Sequence, residues 1–177
     1  MKAPSSILDF EASLLKKKKR IAFLLFKEAY QAQYKKNYVI AVEKYKQSIA
    51  SFSTAEAHTF LGWTYSLMGN LELAIKECQT AIVIDPDFGN AYNDIGAYCI
   101  AKGNYQEAVP YLNHALEAKR YRAKHYVYFN LGCVSEKTGD NLGALRYYKM
   151  ALAIKPNYKA ALFAVDSLKD KLNKAYL

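Results

Sequence analysis

The chain has 177 residues, 52% of them apolar and 23% charged, with 25 Lys and Arg against 16 Asp and Glu for a net charge of +9. That balance speaks against a disordered chain and amounts to one ordinary domain's worth of sequence. The longest apolar run, Ile21–Phe26, falls far short of the roughly 20 residues that cross a membrane. It is also shorter than a secretory core of about 7–15 residues, and no small-residue cleavage site follows it. The chain is therefore expected to stay unexported, in the cytoplasm.

Cys78, Cys99 and Cys133 are an odd set separated by 21 and 34 residues, which suits neither a disulfide framework nor the close pairs of a zinc site. His58, His114 and His125 have no ligand spacing and no acidic residue three or four positions away in a metal-binding pattern. The sequence contains no nucleophile–base pattern, phosphate loop or metal set, so no catalytic residue, metal or cofactor is expected.

Taken along the chain, residues 1–21 read as a basic helical extension. Ser6-Ile7-Leu8-Asp9 has the capping-box pattern, and Lys16, Lys17, Lys18, Lys19 and Arg20 follow as five consecutive cations. At about 100° per residue, such a run surrounds a helix on every side and cannot all be buried. Residues 22–54 read as a degenerate two-helix unit with Ala29 in the first helix, Lys36 at the turn, and Tyr38, Ala41, Tyr45 and Ile49 in the second. Three clearer units follow, at 55–88, 89–124 and 125–158. Leu61-Gly62, Ile95-Gly96 and Leu131-Gly132 recur at spacings of 34 and 36, and Gly69, Gly103 and Gly139 each lie seven residues after the glycine of that pair.

Within the 55–88 unit, His58, Leu61, Gly62 and Tyr65 share one helical face. Gly69 stops that helix, Asn70 caps the next, and Leu71, Ala74, Ile75, Cys78, Ala81 and Ile82 continue at helical spacing to Asp85-Pro86. Gly62 and Ala74 are small enough to let the paired helices touch. Pro110 lies early in a second helix, where it costs a slight bend. Ala123 and Lys124 are inserted before the last unit, and Lys119-Arg120-Tyr121-Arg122 stands where the other units place a closing proline. Residues 159–177 read as a capping helix with Leu162, Val165, Leu168 and Leu172 inward and Asp166, Lys169, Asp170 and Asn173 outward.

These units resemble tetratricopeptide repeats, whose pattern sets a Leu-Gly pair, an aromatic, then small residues and a proline in a period of 34. The resemblance covers about three quarters of the chain. It implies an all-α fold, a right-handed α-α superhelix of about four helix pairs with a terminal capping helix. In that family the first helix of each pair lines a concave wall where partners bind. The positions left open on those helices are Phe26, Tyr30, Gln33 and Tyr34; Thr59, Phe60, Trp63 and Ser66; Asn90, Asn93, Asp94 and Ala97; and Tyr126, Phe129, Asn130 and Cys133.

Amides in successive units can hold the backbone of an extended peptide while aromatic side chains take its side chains. The same aromatics also fit plain packing between neighbouring repeats, and the amides fit a solvated face. The charged clamp with which some members hold acidic chaperone tails is missing. In the register from 55 its places hold Thr59, Trp63, Asp94, Tyr126 and Asn130; in the register from 22 they hold Phe26, Tyr30, Phe60, Asn90 and Asp94.

The resemblance thus implies a non-enzymatic adaptor or chaperone whose partner is another protein, held through an extended or helical segment, with no small-molecule substrate. The alternative is contact with nucleic acid or an anionic membrane surface through the basic pole, for which no nucleic-acid motif speaks. Residues 1–54 carry 11 basic and 4 acidic groups, and residues 55–88 carry 1 and 5. Self-association between those two regions of different copies is a further alternative.

Overall fold

The computed structural model describes residues 7–175, and every described element is helical. In chain order these are α1 (Ile7–Tyr34), α2 (Tyr38–Ser51), α3 (Ala55–Leu67), α4 (Leu71–Ile84), α5 (Gly89–Ala101), α6 (Tyr105–Glu117), α7 (Lys124–Lys137), α8 (Asn141–Ile154) and α9 (Lys159–Ala175). Ser6, the first residue of the expected capping box, lies outside the described residues. Helix α1 runs without a break through residue 21, where the sequence suggested that an extension gives way to the first repeat. Among the described residues no helix is long and apolar enough to cross a membrane.

The helices pack as consecutive pairs, α1 with α2, α3 with α4, α5 with α6 and α7 with α8, and α9 follows against α8. They fall into two compact units, residues 1–85 and 86–177. The fold is an all-α helical repeat.

One backbone device makes every hairpin. Gly69, Gly103 and Gly139 have φ of 82°, 81° and 91°, a left-handed conformation that costs glycine almost nothing. It turns the next amide back onto the preceding helix: Asn70 donates to Tyr65 O at 2.9 Å, Asn104 to Cys99 O at 2.9 Å and Asp140 to Ser135 O at 2.8 Å. The degenerate unit does the same, with Asn37 donating to Ala32 O at 2.9 Å, although Lys36 has to adopt φ 61° to allow it. Three helix starts are then capped by side chains. Asn70 Oδ1 accepts from the Leu73 amide at 3.0 Å, Asp140 Oδ1 from Gly143 at 2.8 Å and Thr54 Oγ1 from Ala57 at 3.1 Å.

The second helices bury one repeated triplet: Ala41, Tyr45 and Ser48; Ala74, Cys78 and Ala81; Ala108, Leu112 and Ala115; Ala144, Tyr148 and Ala151. Steps of four and three keep each triplet on one face, and the small residues at its ends let the facing helix come close. A Cβ on Gly62 would sit 2.8 Å from Ala74 O, and one on Gly96 would sit 2.6 Å from Leu112 Cδ2. Ala29 fills the equivalent place on α1 and is fully buried.

In α9 the buried line is Ala161, Val165 and Leu168, with Leu172 partly covered, and Val165 and Leu168 join Ala144 and Tyr148 in one core cluster. Leu162, expected inward, is 43% exposed, because the face set by i, i+4 and i+7 begins one residue earlier, at Ala161. None of the three cysteines is in a disulfide. Cys78 and Cys99 are buried, and burial pushes the Cys99 and Cys133 thiols up, keeping them protonated.

Candidate functional site

In the N-terminal unit the open face is built by α1 and α3. Phe60 is its hub. Its ring centroid lies 5.2 Å from Phe26, 5.7 Å from Tyr30 and 5.8 Å from Trp63, each edge to face, and 6.3 Å from Tyr45. Phe26 in turn meets Tyr45 at 5.5 Å. Edge-to-face pairs contribute about 0.5–1.5 kcal/mol beyond burial, so the cluster holds its own rotamers. Phe26 and Phe60 are partly covered, whereas Tyr30 and Trp63 remain 46% and 43% exposed at its outer edge. Tyr34 stands 84% exposed at the end of α1.

Gln33 and Thr59, expected on the open stripe, are 4% and 3% exposed. Gln33 Oε1 accepts from the buried Tyr45 hydroxyl at 2.8 Å, and burial pushes that phenol up. Both side chains belong to the packing between helices and leave the surface to the aromatics.

The sequence places His58 on one helical face with Leu61, Gly62 and Tyr65 and offers it no local acidic partner. In the structure its Nδ1 lies 2.7 Å from Glu77 Oε2 on α4, and its Nε2 lies 3.0 Å from Ser53 Oγ ahead of α3. The acidic partner is 19 residues away in sequence, out of reach of any local spacing rule, and only the hairpin brings it in. The chain of three groups ties the start of α3 to α4 and satisfies both ring nitrogens of a buried imidazole.

In the C-terminal unit the open face is built by α5 and α7. Asn130 Nδ2 donates to Asn93 Oδ1 at 3.1 Å, and Asn93 Nδ2 donates to Asp94 Oδ1 at 3.2 Å. Asn93 is 8% exposed and directs its amide to these two neighbours, while Asn90 is exposed and Asn130 and Asp94 are partly so. The sequence listed the three amides as equivalent; the structure divides them into one positioning group and two that reach the surface. Burial pushes the Asp94 carboxyl up to about 7, against the opposing effect of the Asn93 hydrogen bond.

Beside them lies a second aromatic group. Tyr158 meets His125 at 5.3 Å, Tyr126 at 5.5 Å and Phe129 at 5.3 Å, and Lys155 Nζ sits 5.8 Å over its ring. Tyr126 is 41% exposed and Phe129 partly covered. Tyr158 was missed because it follows α8 in a loop, where helical spacing carries no signal. His125 Nε2 is buried without a hydrogen-bond partner, and burial, aided by Lys155, holds its pKa below the ordinary histidine value.

The inserted loop is also pinned. Tyr121 is 5% exposed and packs on Gly89 so closely that a Cβ there would collide with it. The Arg120 amide donates to Asp87 O at 2.9 Å, Lys119 Nζ pairs with Asp87 Oδ2 at 3.4 Å, and the Arg120 guanidinium lies 5.2 Å over Phe88. A basic cavity of about 470 Å³ results, lined by Asn90, Lys119, Arg120, Tyr121, Arg122 and Ala123.

From Lys16 to Arg20 every side chain is exposed on α1, ahead of Phe26 and Tyr30 on the same helix. Among the described residues no group of three or more His, Cys, Asp or Glu comes together in a way that could hold a metal ion.

Models of the tetratricopeptide repeat match residues 55–88 and 87–157. The photosystem I assembly protein Ycf3 of Cyanophora paradoxa is 32% identical over 107 residues, 58% of each chain, so the match spans less than two thirds of that relative. The structure of PilF from Pseudomonas aeruginosa superposes with a TM-score of 0.82 at 20% identity, covering 89% of this chain and 71% of that one. The structure of YrrB, described as a repeat protein with an unusual peptide-binding site, gives a TM-score of 0.66 at 18% identity over 81% and 73%. At such identities the two structures bear on the fold alone.

Proposed function

The chain belongs to the tetratricopeptide-repeat family of protein-interaction modules, and on that premise we propose that it is a non-enzymatic adaptor or assembly chaperone that holds a segment of another protein. In the N-terminal unit apolar side chains of a held segment rest on Tyr30 and Trp63; in the C-terminal unit Asn90 and Asn130 meet the backbone of a held segment beside Tyr126. One relative is an assembly protein, which agrees with this reading.

The observation that carries it is the exposure of Tyr30 and Trp63 on either side of a self-supporting Phe60 hub. Rings used only to pack repeats together would be covered. Rings already fixed by their neighbours lose little freedom on binding, which favours their use as anchors.

Comparative affinity capture tests the reading, with the whole chain, Trp63→Ala and Tyr126→Ala as parallel baits. Loss of an anchoring aromatic is expected to weaken a specific partner by about 2 kcal/mol, roughly thirtyfold. Partners retained equally by both variants and the parent would refute it.

A further inference from the structure

Helix α1 is twice as long as α2, at 28 residues against 14. The pairing of the two ends near Lys19 and Ala22, where Ser48 Oγ donates to Ala22 O at 2.7 Å and Lys19 Nζ sits 4.9 Å over the Phe52 ring. The residues before that point, about 18 Å of helix, overhang the domain. Ile7, Phe10, Leu14 and Leu15 are 42–79% exposed along this stretch.

We propose that this overhang is a dimerisation arm, pairing antiparallel with the same segment of a second copy about a two-fold axis that passes between Leu14 and Leu15. In such a pair each residue before the axis faces one equally far beyond it. Leu14 then meets Leu15 of the other copy, and Glu11 meets Lys18. These four positions step by three, one and three, so they share a face of α1. The stripe is self-complementary: each copy supplies one acid and one base at mirrored positions around an apolar centre, which is what an isologous contact needs.

The charges also choose the direction. A parallel pair would lay Lys16–Arg20 of one copy against the same five cations of the other. The antiparallel pair moves the two Lys18 positions about 10 Å apart along the axis, roughly one Debye length at 0.1 M salt. At its end the arm reaches an apolar cavity of about 460 Å³, lined by Ala22, Phe23, Phe26 and Phe52 with Lys19 at the rim. There Phe10 of the second copy arrives beside Lys19, and Ile7 beside Ala22.

An anionic membrane is the less suitable occupant. The cations surround the helix instead of forming one polar face, and Glu11 would sit in the middle of the buried stripe. Two arms of this length bury an area at the low end for specific interfaces, on the order of 1,000 Å². The dimer is accordingly a micromolar one.

Sedimentation equilibrium of the whole chain in about 0.15 M salt, from ~1 to ~200 µM, tests the arm. The mass is expected to rise from one chain of 20.1 kDa toward two. Glu11→Lys and Lys18→Glu should each raise the dissociation constant at least about tenfold. An equimolar mixture of those two variants should recover the dimer, because every lysine then faces a glutamate. Since Glu11 and Lys18 are both exposed on α1, circular dichroism of both variants should match the parent. A parent that stays monomeric throughout would overturn the proposal, as would a dimer indifferent to both substitutions. So would a monomer that binds phosphatidylglycerol vesicles and loses them on Leu14→Asp, which would assign the arm to a membrane.

Discussion

The Tyr148 hydroxyl donates a 2.7 Å hydrogen bond to Glu136, and the same ring covers Gly132 so closely that a Cβ there would lie inside its contact distance. Tyr148 is 1% exposed, so the ring has nowhere to go. Gly132→Ala is expected to cost about 2–4 kcal/mol in chemical denaturation, more than the usual helix gain from alanine can offset. Shortening the obstacle should rescue it: in Gly132→Ala/Tyr148→Leu the two losses should be clearly less than additive.

The turn of the degenerate unit gives the opposite sign. Lys36 holds φ 61°, a conformation that costs a side chain of L configuration about 1–2 kcal/mol. Part of that is recovered in Lys36→Gly, after the greater freedom of glycine in the unfolded chain is set against it, and a gain of about 0.5–1 kcal/mol is expected. Gly69→Ala, at φ 82° in open space, should lose a similar amount. Equal and negative effects at both sites would mean that the two turns are not equivalent.

Asp94 makes stability depend on pH in a direction that carboxylates seldom do. Its pKa is raised by burial to about 7, whereas in the unfolded chain an Asp ionises near pH 4. Between those values the folded chain keeps a proton that the unfolded chain has released, so this contribution falls as pH rises and is lost above about 7. His125, held below its ordinary value, opposes it by losing stability as pH drops below about 6.5. The difference between parent and Asp94→Asn isolates the carboxyl. The variant should be more stable at about pH 8 by on the order of 1–3 kcal/mol and equal near pH 4, as read from urea midpoints.

Much of this arrangement is legible in the sequence, and the part that is not has a common cause. Gly62, Gly96 and Gly132 announce the hairpins because close approach leaves a residue type as its mark, and Gly69, Gly103 and Gly139 do so because positive φ does. Tyr30, Phe60 and Trp63 follow from helical spacing on a known face. What spacing cannot supply is which partner a side chain meets across the hairpin. The Asn93–Asn130 contact spans 37 residues, the His58–Glu77 contact 19, and both depend on how two helices cross. Gln33 and Thr59 sit at the edge of the open stripe, where a rotation of a few tens of degrees separates surface from core. Tyr121 and Tyr158 lie in loops, outside any periodicity.

The His58 link has its own consequence. Removing the acid in Glu77→Ala leaves a buried imidazole nitrogen without its partner, at a cost of about 1–3 kcal/mol. Ser53→Ala should cost less, because Ser53 is exposed and water can replace its hydroxyl. Hydrogen exchange at the first turn of α3 should quicken in Glu77→Ala before it does elsewhere in the N-terminal unit.

Phe60 and Trp63 separate support from contact on the aromatic face. Phe60 touches four rings and is partly covered, so Phe60→Ala removes several edge-to-face pairs at once and should cost about 3 kcal/mol of stability. Trp63 touches the hub from outside and is 43% exposed, so Trp63→Ala should cost about 1 kcal/mol. Partner capture is expected to follow the reverse order once both variants are compared at a temperature where each is fully folded. Trp63→Ala loses an anchor directly, whereas Phe60→Ala only loosens Tyr30 and Trp63, whose own rings remain. If capture instead tracked stability in both, the exposed rings would be packing elements and not the seat of a partner.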